Sequence, residues 1–136
     1  MALKRCITIC LLTLSSCASK DNEYLEKASA DLEQRQIAKA VYIQGNGCLA
    51  CIQPELEQFV ADSSTWIILH SKLDFLKGAF KPKVWVDWEG HFSPTTMDTS
   101  YFHVFIQHEK WLYRTSNTAK EVNQILKTHS FEFGTN

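Results

Sequence analysis

Three short β-prone runs, spaced by stretches with helical periodicity, restrict this chain to a small set of layered architectures. Val41-Tyr42-Ile43 stops at the turn residues Gly45-Asn46-Gly47. Trp66-Ile67-Ile68-Leu69 is continuously apolar, the pattern of a strand covered on both faces. Lys83 to Trp88 is the third run, closed by Glu89-Gly90. Between them the apolar spacing changes from two to nearly four. Leu25, Ala28, Leu32 and Gln36 fall near one face of a helix expected over Tyr24 to Ala40. Leu56, Phe59 and Val60 define a second helix with Pro54 near its start, and Leu73 to Phe80 a short third one with Gly78 near its end. Such alternation argues an α/β chain with a largely parallel sheet and helices on both faces. Downstream, Phe102 to Gln107 and Trp111 to Arg114 predict a β-hairpin across His108-Glu109-Lys110. A last helix follows, with Thr118 and Glu121 at capping-box spacing and Val122, Ile125 and Leu126 as its apolar face. The expected core is thus a central mixed sheet of four to five strands.

The first residues read differently. Lys4 and Arg5 precede an apolar stretch from Cys6 to Leu14, too short to span a bilayer and the right size for a signal-peptide core. It ends in Leu14-Ser15-Ser16-Cys17, which resembles the lipobox of bacterial lipoproteins. The resemblance implies cleavage before Cys17 and lipid on that cysteine, so that the protein is membrane-anchored through lipid in the cell envelope. Ala18, where an Asp would retain an enterobacterial lipoprotein at the inner membrane, implies the outer membrane, facing the periplasm or the cell surface. The organisation expected is a signal peptide over 1–16, a lipidated tether and N-terminal helix over 17–40, and one domain over 41–136. The chain carries 14 basic and 15 acidic residues, and loss of Lys4 and Arg5 makes it slightly more acidic. With no basic stripe, nucleic acid is not an expected partner.

Five cysteines are present. Cys6 and Cys10 leave with the leader and Cys17 takes lipid, which leaves Cys48 and Cys51 in the spacing C-x-x-C. A disulfide persists in an exported protein, but one closing so small a loop does little to staple a fold. Its use is therefore chemical. A β-prone run, a Gly-rich turn and C-x-x-C at a helix start, followed later by a hairpin and a terminal helix, resemble the thioredoxin-like superfamily in its exported, membrane-tethered branch. The resemblance spans roughly Val41 to His129. It implies thiol–disulfide exchange with protein thiols or disulfides in the cell envelope and no cofactor, with Cys48 as nucleophile and Cys51 as the inward, resolving cysteine. The physical basis is that a helix N-terminus stabilises the reactive thiolate.

Where the superfamily has a cis-proline before the hairpin, this chain has Thr99-Ser100-Tyr101; Pro94 lies several residues upstream. Where thioredoxins carry a buried acid on the strand before the motif, it has Tyr42, so a proton carrier would be water, Glu55 or Tyr42. Gly47 stands where a tryptophan commonly precedes the first cysteine, and Trp88 is the tryptophan expected near the site. Two further readings compete. One is a copper-handling thioredoxin-like chaperone that binds Cu(I) through Cys48, Cys51 and His103. The other is a redox-inert interaction module that keeps the fold alone.

Overall fold

The computed structural model describes residues 22–44, 49–60, 62–80, 83–94 and 99–133, with backbone alone for 130–133. The expected leader, the expected lipidation residue Cys17 and the expected nucleophile Cys48 lie outside the described residues. Helix α1 covers 22–34. It is followed by β1 (Lys39–Ile43), α2 (Leu49–Gln58), β2 (Trp66–His70), a 3₁₀ segment (Ser71–Phe80), β3 (Val84–Asp87), β4 (Phe102–Gln107), β5 (Trp111–Ser116) and α3 (Ala119–Phe133). Among the described residues, no helix is long and apolar enough to cross a membrane.

The five strands form one mixed sheet in the order β3-β2-β1-β4-β5. β1 runs parallel to β2, with Val41 opposite Ile67, and β2 runs parallel to β3, with Ile68 opposite Trp85. β4 lies antiparallel to β1 on its other side, Tyr42 opposite His103, and β5 completes the hairpin. The chain is thus α/β, as its alternating pattern predicts. β1 is central, and all five of its residues are buried. This explains why its sequence shows no polar face.

Each sheet face has its own core. Val41, Ile43, Ile67, Leu69, Phe102, Val104 and Ile106 point to the side covered by Ile52 and Phe59 from the α2 segment, by Leu73, and by Val122 and Leu126 of α3. The alternate residues Ala40, Tyr42, Ile68 and Phe105 point to the opposite side, where Tyr24, Ala28 and Leu32 of α1 and Phe92 close the layer. The period-two alternation of side chains along a strand produces this division. α1 is also tied to the sheet by polar contacts. The Tyr24 hydroxyl donates to the Phe92 carbonyl at 2.7 Å, and Trp111 Nε1 donates to Glu33 Oε1 at 2.7 Å.

α1 ends earlier than its periodicity predicts. Gln36 has φ +59°, Ile37 N donates to Leu32 O at 2.8 Å, and Gln36 N donates to Glu33 O at 3.0 Å. These are the two bonds of a Schellman cap, with Ile37 and Leu32 buried in one cluster as its apolar contact. A glycine normally occupies the left-handed position, and its absence hides the stop. Because Gln36 carries a Cβ into that conformation, Gln36→Gly is expected to raise stability by about 0.5–1 kcal/mol in urea unfolding. Ser71–Phe80 is likewise not the α-helix expected there. It is a 3₁₀ segment interrupted at Leu73, whose side chain is buried against the sheet.

Candidate functional site

The C-terminal ends of the three parallel strands, Ile43, His70 and Asp87, lie at one end of the sheet. In open α/β sheets this end is where ligands and chemistry collect. α2 begins there, and Cys51 is its third residue. Amides in the first helical turn have no intrahelical partner, and the first turn of α2 contains no acidic residue to offset its positive end. Cys51 is disulfide-bonded. It is also exposed, so the inward, shielded position expected of it is not the one it takes. Cys48, the expected nucleophile, lies outside the described residues. Pro54 stands inside the helix rather than in its first turn. There it removes one backbone donor.

The segment before β4 lies against the end of β1. Gln44 N donates to Tyr101 O at 2.8 Å, and Tyr101 N donates to Asn117 Oδ1 at 3.0 Å. Tyr101 is therefore beside Gln44, just past the end of β1.

The C-terminal half of α2 is joined to the start of α3. Glu55 Oε2 accepts from Ala119 N at 2.6 Å, and Asn123 Nδ2 donates to Gln58 O at 2.9 Å while its Oδ1 accepts from Val60 N at 3.0 Å. The start of α3 is capped more elaborately than its sequence implies. Thr118 N donates to Ser116 Oγ at 3.1 Å, and Ser116 Oγ donates to Glu121 Oε2 at 2.5 Å. Ser116 thus stands between the two members of the expected capping box.

Two residues considered for the site belong to the other face of the sheet. Tyr42 is fully buried and contacts Phe92 and His103. Its hydroxyl is 3.4 Å from Ser93 Oγ. Burial pushes the phenol up to about 12; the Ser93 contact opposes this and the Asp87 charge adds to it. An acid held neutral in this way stabilises the fold below the unfolded value near 10, and that contribution fades as pH rises through about 12. Tyr42→Phe is expected to flatten the loss of stability between these two pH values, as followed by urea midpoints.

His103 is also fully buried on the α1 side, stacked on Tyr113. Its Nδ1 lies 2.6 Å from the Tyr113 hydroxyl and its Nε2 lies 3.0 Å from Ser100 O. Both ring nitrogens are engaged, and the sheet separates this ring from the face covered by α2. The histidine of the copper reading is therefore not brought to Cys51. Among the described residues, no group of three His, Cys, Asp or Glu side chains gathers in a metal-binding arrangement.

Trp88 is 66% exposed just after β3, the edge strand, and so shares the C-terminal end of the parallel strands but stands at its margin. Its neighbour Asp87 is buried and builds the following turn, accepting from His91 N at 3.0 Å and Phe92 N at 2.8 Å.

Sequence reasoning missed a groove of about 560 Å³ between α2 and the 3₁₀ segment, lined by Leu49, Leu56, Val60, Phe75 and Phe80 among others. Three of the exposed large apolar side chains, Leu49, Val60 and Phe75, line it. The signal available was Val60, read as part of an apolar helix face, which lies exposed beside Phe75. No protein family, characterised protein or solved structure matches this chain.

Proposed function

We propose that this chain is a lipid-anchored envelope protein with a thioredoxin-like domain that exchanges disulfides with other proteins through Cys48 and Cys51. The observation that carries the reading is a disulfide-bonded cysteine in the first turn of the helix that follows the central strand. The sheet supports it further. A β1-α2-β2 parallel unit and a β4-β5-α3 hairpin unit meet at β1, with β3 added at the edge, an order compatible with the thioredoxin-like reading. The apolar groove that begins at Leu49, between the two cysteines, supports a polypeptide substrate rather than a small thiol.

In the reducing direction, the Cys48 thiolate attacks a substrate disulfide. A Cys48–substrate bond forms and the substrate's own S–S bond breaks; the departing thiolate takes a proton from water. Cys51 then attacks the Cys48 sulfur, releasing the second substrate thiol and leaving Cys48–Cys51 oxidised. Two electrons pass from the protein to the substrate. The same steps in reverse oxidise a substrate dithiol.

The experiment that tests the reading uses the protein beginning at Ala18, equilibrated in graded glutathione buffers, with free thiols trapped by alkylation and counted by mass. Cys48 and Cys51 are expected to titrate together as one two-electron couple. Thiols that stay reduced in every buffer would refute exchange. The anchor is tested separately in the full chain. Cys17→Ala is expected to abolish fatty-acid labelling and release of the leader, and a labelled variant would refute lipidation at Cys17.

A further inference from the structure

Cys51 and Glu55 stand four residues apart on α2. That spacing puts two side chains on one helix face, with Cβ atoms about 5–6 Å apart. The Glu55 carboxylate identifies the neighbour of this face, because its Oε2 accepts from Ala119 N, the first residue of α3, at 2.6 Å. The N-terminus of α3 therefore meets α2 at Glu55, one helical turn along from Cys51. The positive end of the α3 dipole lies there, with its Ala119 amide capped by Glu55. An open hollow of about 480 Å³ beside it, lined by Glu55, Gln58, Thr118, Lys120, Glu121 and Gln124, admits water and holds the other charges of this junction, Lys120 and Glu121.

On the exchange reading given above, we propose that Glu55 is a positioning residue of the cysteine pair: its carboxylate clamps α2 to the first turn of α3 and sets a negative charge one turn from Cys51. The positive end of α2, which carries Cys51 in its first turn, stabilises the thiolate-bearing, reduced state. A reduced form stabilised in this way makes a disulfide strongly oxidising. The Glu55 charge works against that stabilisation and shifts the equilibrium toward the disulfide.

The test compares wild type, Glu55→Gln and Glu55→Ala in the full chain, purified in detergent. The amide of E55Q keeps an acceptor for Ala119 N and removes only the charge. E55Q is expected to melt close to wild type, to shift the glutathione equilibrium toward the dithiol by about 3- to 10-fold, and to move cysteine alkylation to lower pH. E55A is expected to show the same shift and also to melt lower, through loss of the clamp. If E55Q titrates and alkylates like wild type while E55A only melts lower, Glu55 is a structural clamp and the proposal is overturned. If the wild-type pair forms no couple with glutathione, the exchange reading fails and this inference falls with it.

Discussion

Cys48→Ser is expected to reduce disulfide exchange to the uncatalysed rate while leaving the fold intact. The loss is complete because serine at the attacking position cannot form the mixed disulfide through which every electron pair passes. The fold survives because the pair closes a very short loop. The chain-entropy model gives such a loop roughly 2 kcal/mol, and the two cores on either side of the sheet do not depend on it. Cys51→Ser has a different outcome. Cys48 can still attack but nothing resolves the product, so a Cys48–substrate adduct accumulates and is visible by mass under non-reducing conditions. The exposure of Cys51 adds a further expectation. In a C48S variant its thiol alkylates rapidly, which a shielded resolving cysteine would not do. Exchange that persists in C48S, measured with a protein disulfide as substrate, would overturn the assignment of Cys48 as nucleophile.

What the sequence makes legible follows from which interactions are local. Trp66 to Leu69 forms a strand at β2 because a continuous β-branched and aromatic run needs burial on both sides, and the sheet provides it. The hairpin and the start of α3 were readable for the same reason: turn residues and the Thr118–Glu121 spacing act over a few positions. The end of α1 was not readable, because Gln36 takes a left-handed conformation without the glycine that usually marks it. Nor were the face assignments of Tyr42 and His103. Period two says only that Tyr42 and Val41 point opposite ways. Which side α2 covers is decided by crossover and pairing, and the register that sets Tyr42 opposite His103 joins residues far apart in the chain. Glu55 shows the same limit. Its partner is a backbone amide 64 residues away, and no spacing rule reports it.

Asp62→Ala is expected to cost about 2 kcal/mol at neutral pH, because it strands a buried cation. Lys39 opens the central strand and is only 5% exposed, with its Nζ 2.6 Å from Asp62 Oδ2. Asp62 also accepts from Ser64 N, Ser64 Oγ and Thr65 Oγ1 at 2.9, 2.6 and 2.8 Å. Partial burial pulls its carboxyl upward, but the hydrogen bonds from Lys39, Ser64 and Thr65, with the Lys39 charge, more than reverse this and hold it well below the usual carboxylate range. A depressed folded value means the contribution is complete above the unfolded value near 4 and is lost as pH falls toward the folded one. The cost stays below that of a fully buried pair because the Asp62 side chain is 40% exposed and partly screened. Asp62→Asn separates charge from geometry, since its amide oxygen still serves Ser64 and Thr65. Urea midpoints should show D62A least stable, D62N intermediate, and the gap between D62N and wild type closing below about pH 4. The double change Lys39→Met with D62A should recover most of the loss, because a methionine fills the same space without a charge to satisfy. A double variant no more stable than D62A would mean that the Asp62 turn, not the stranded lysine, accounts for the effect.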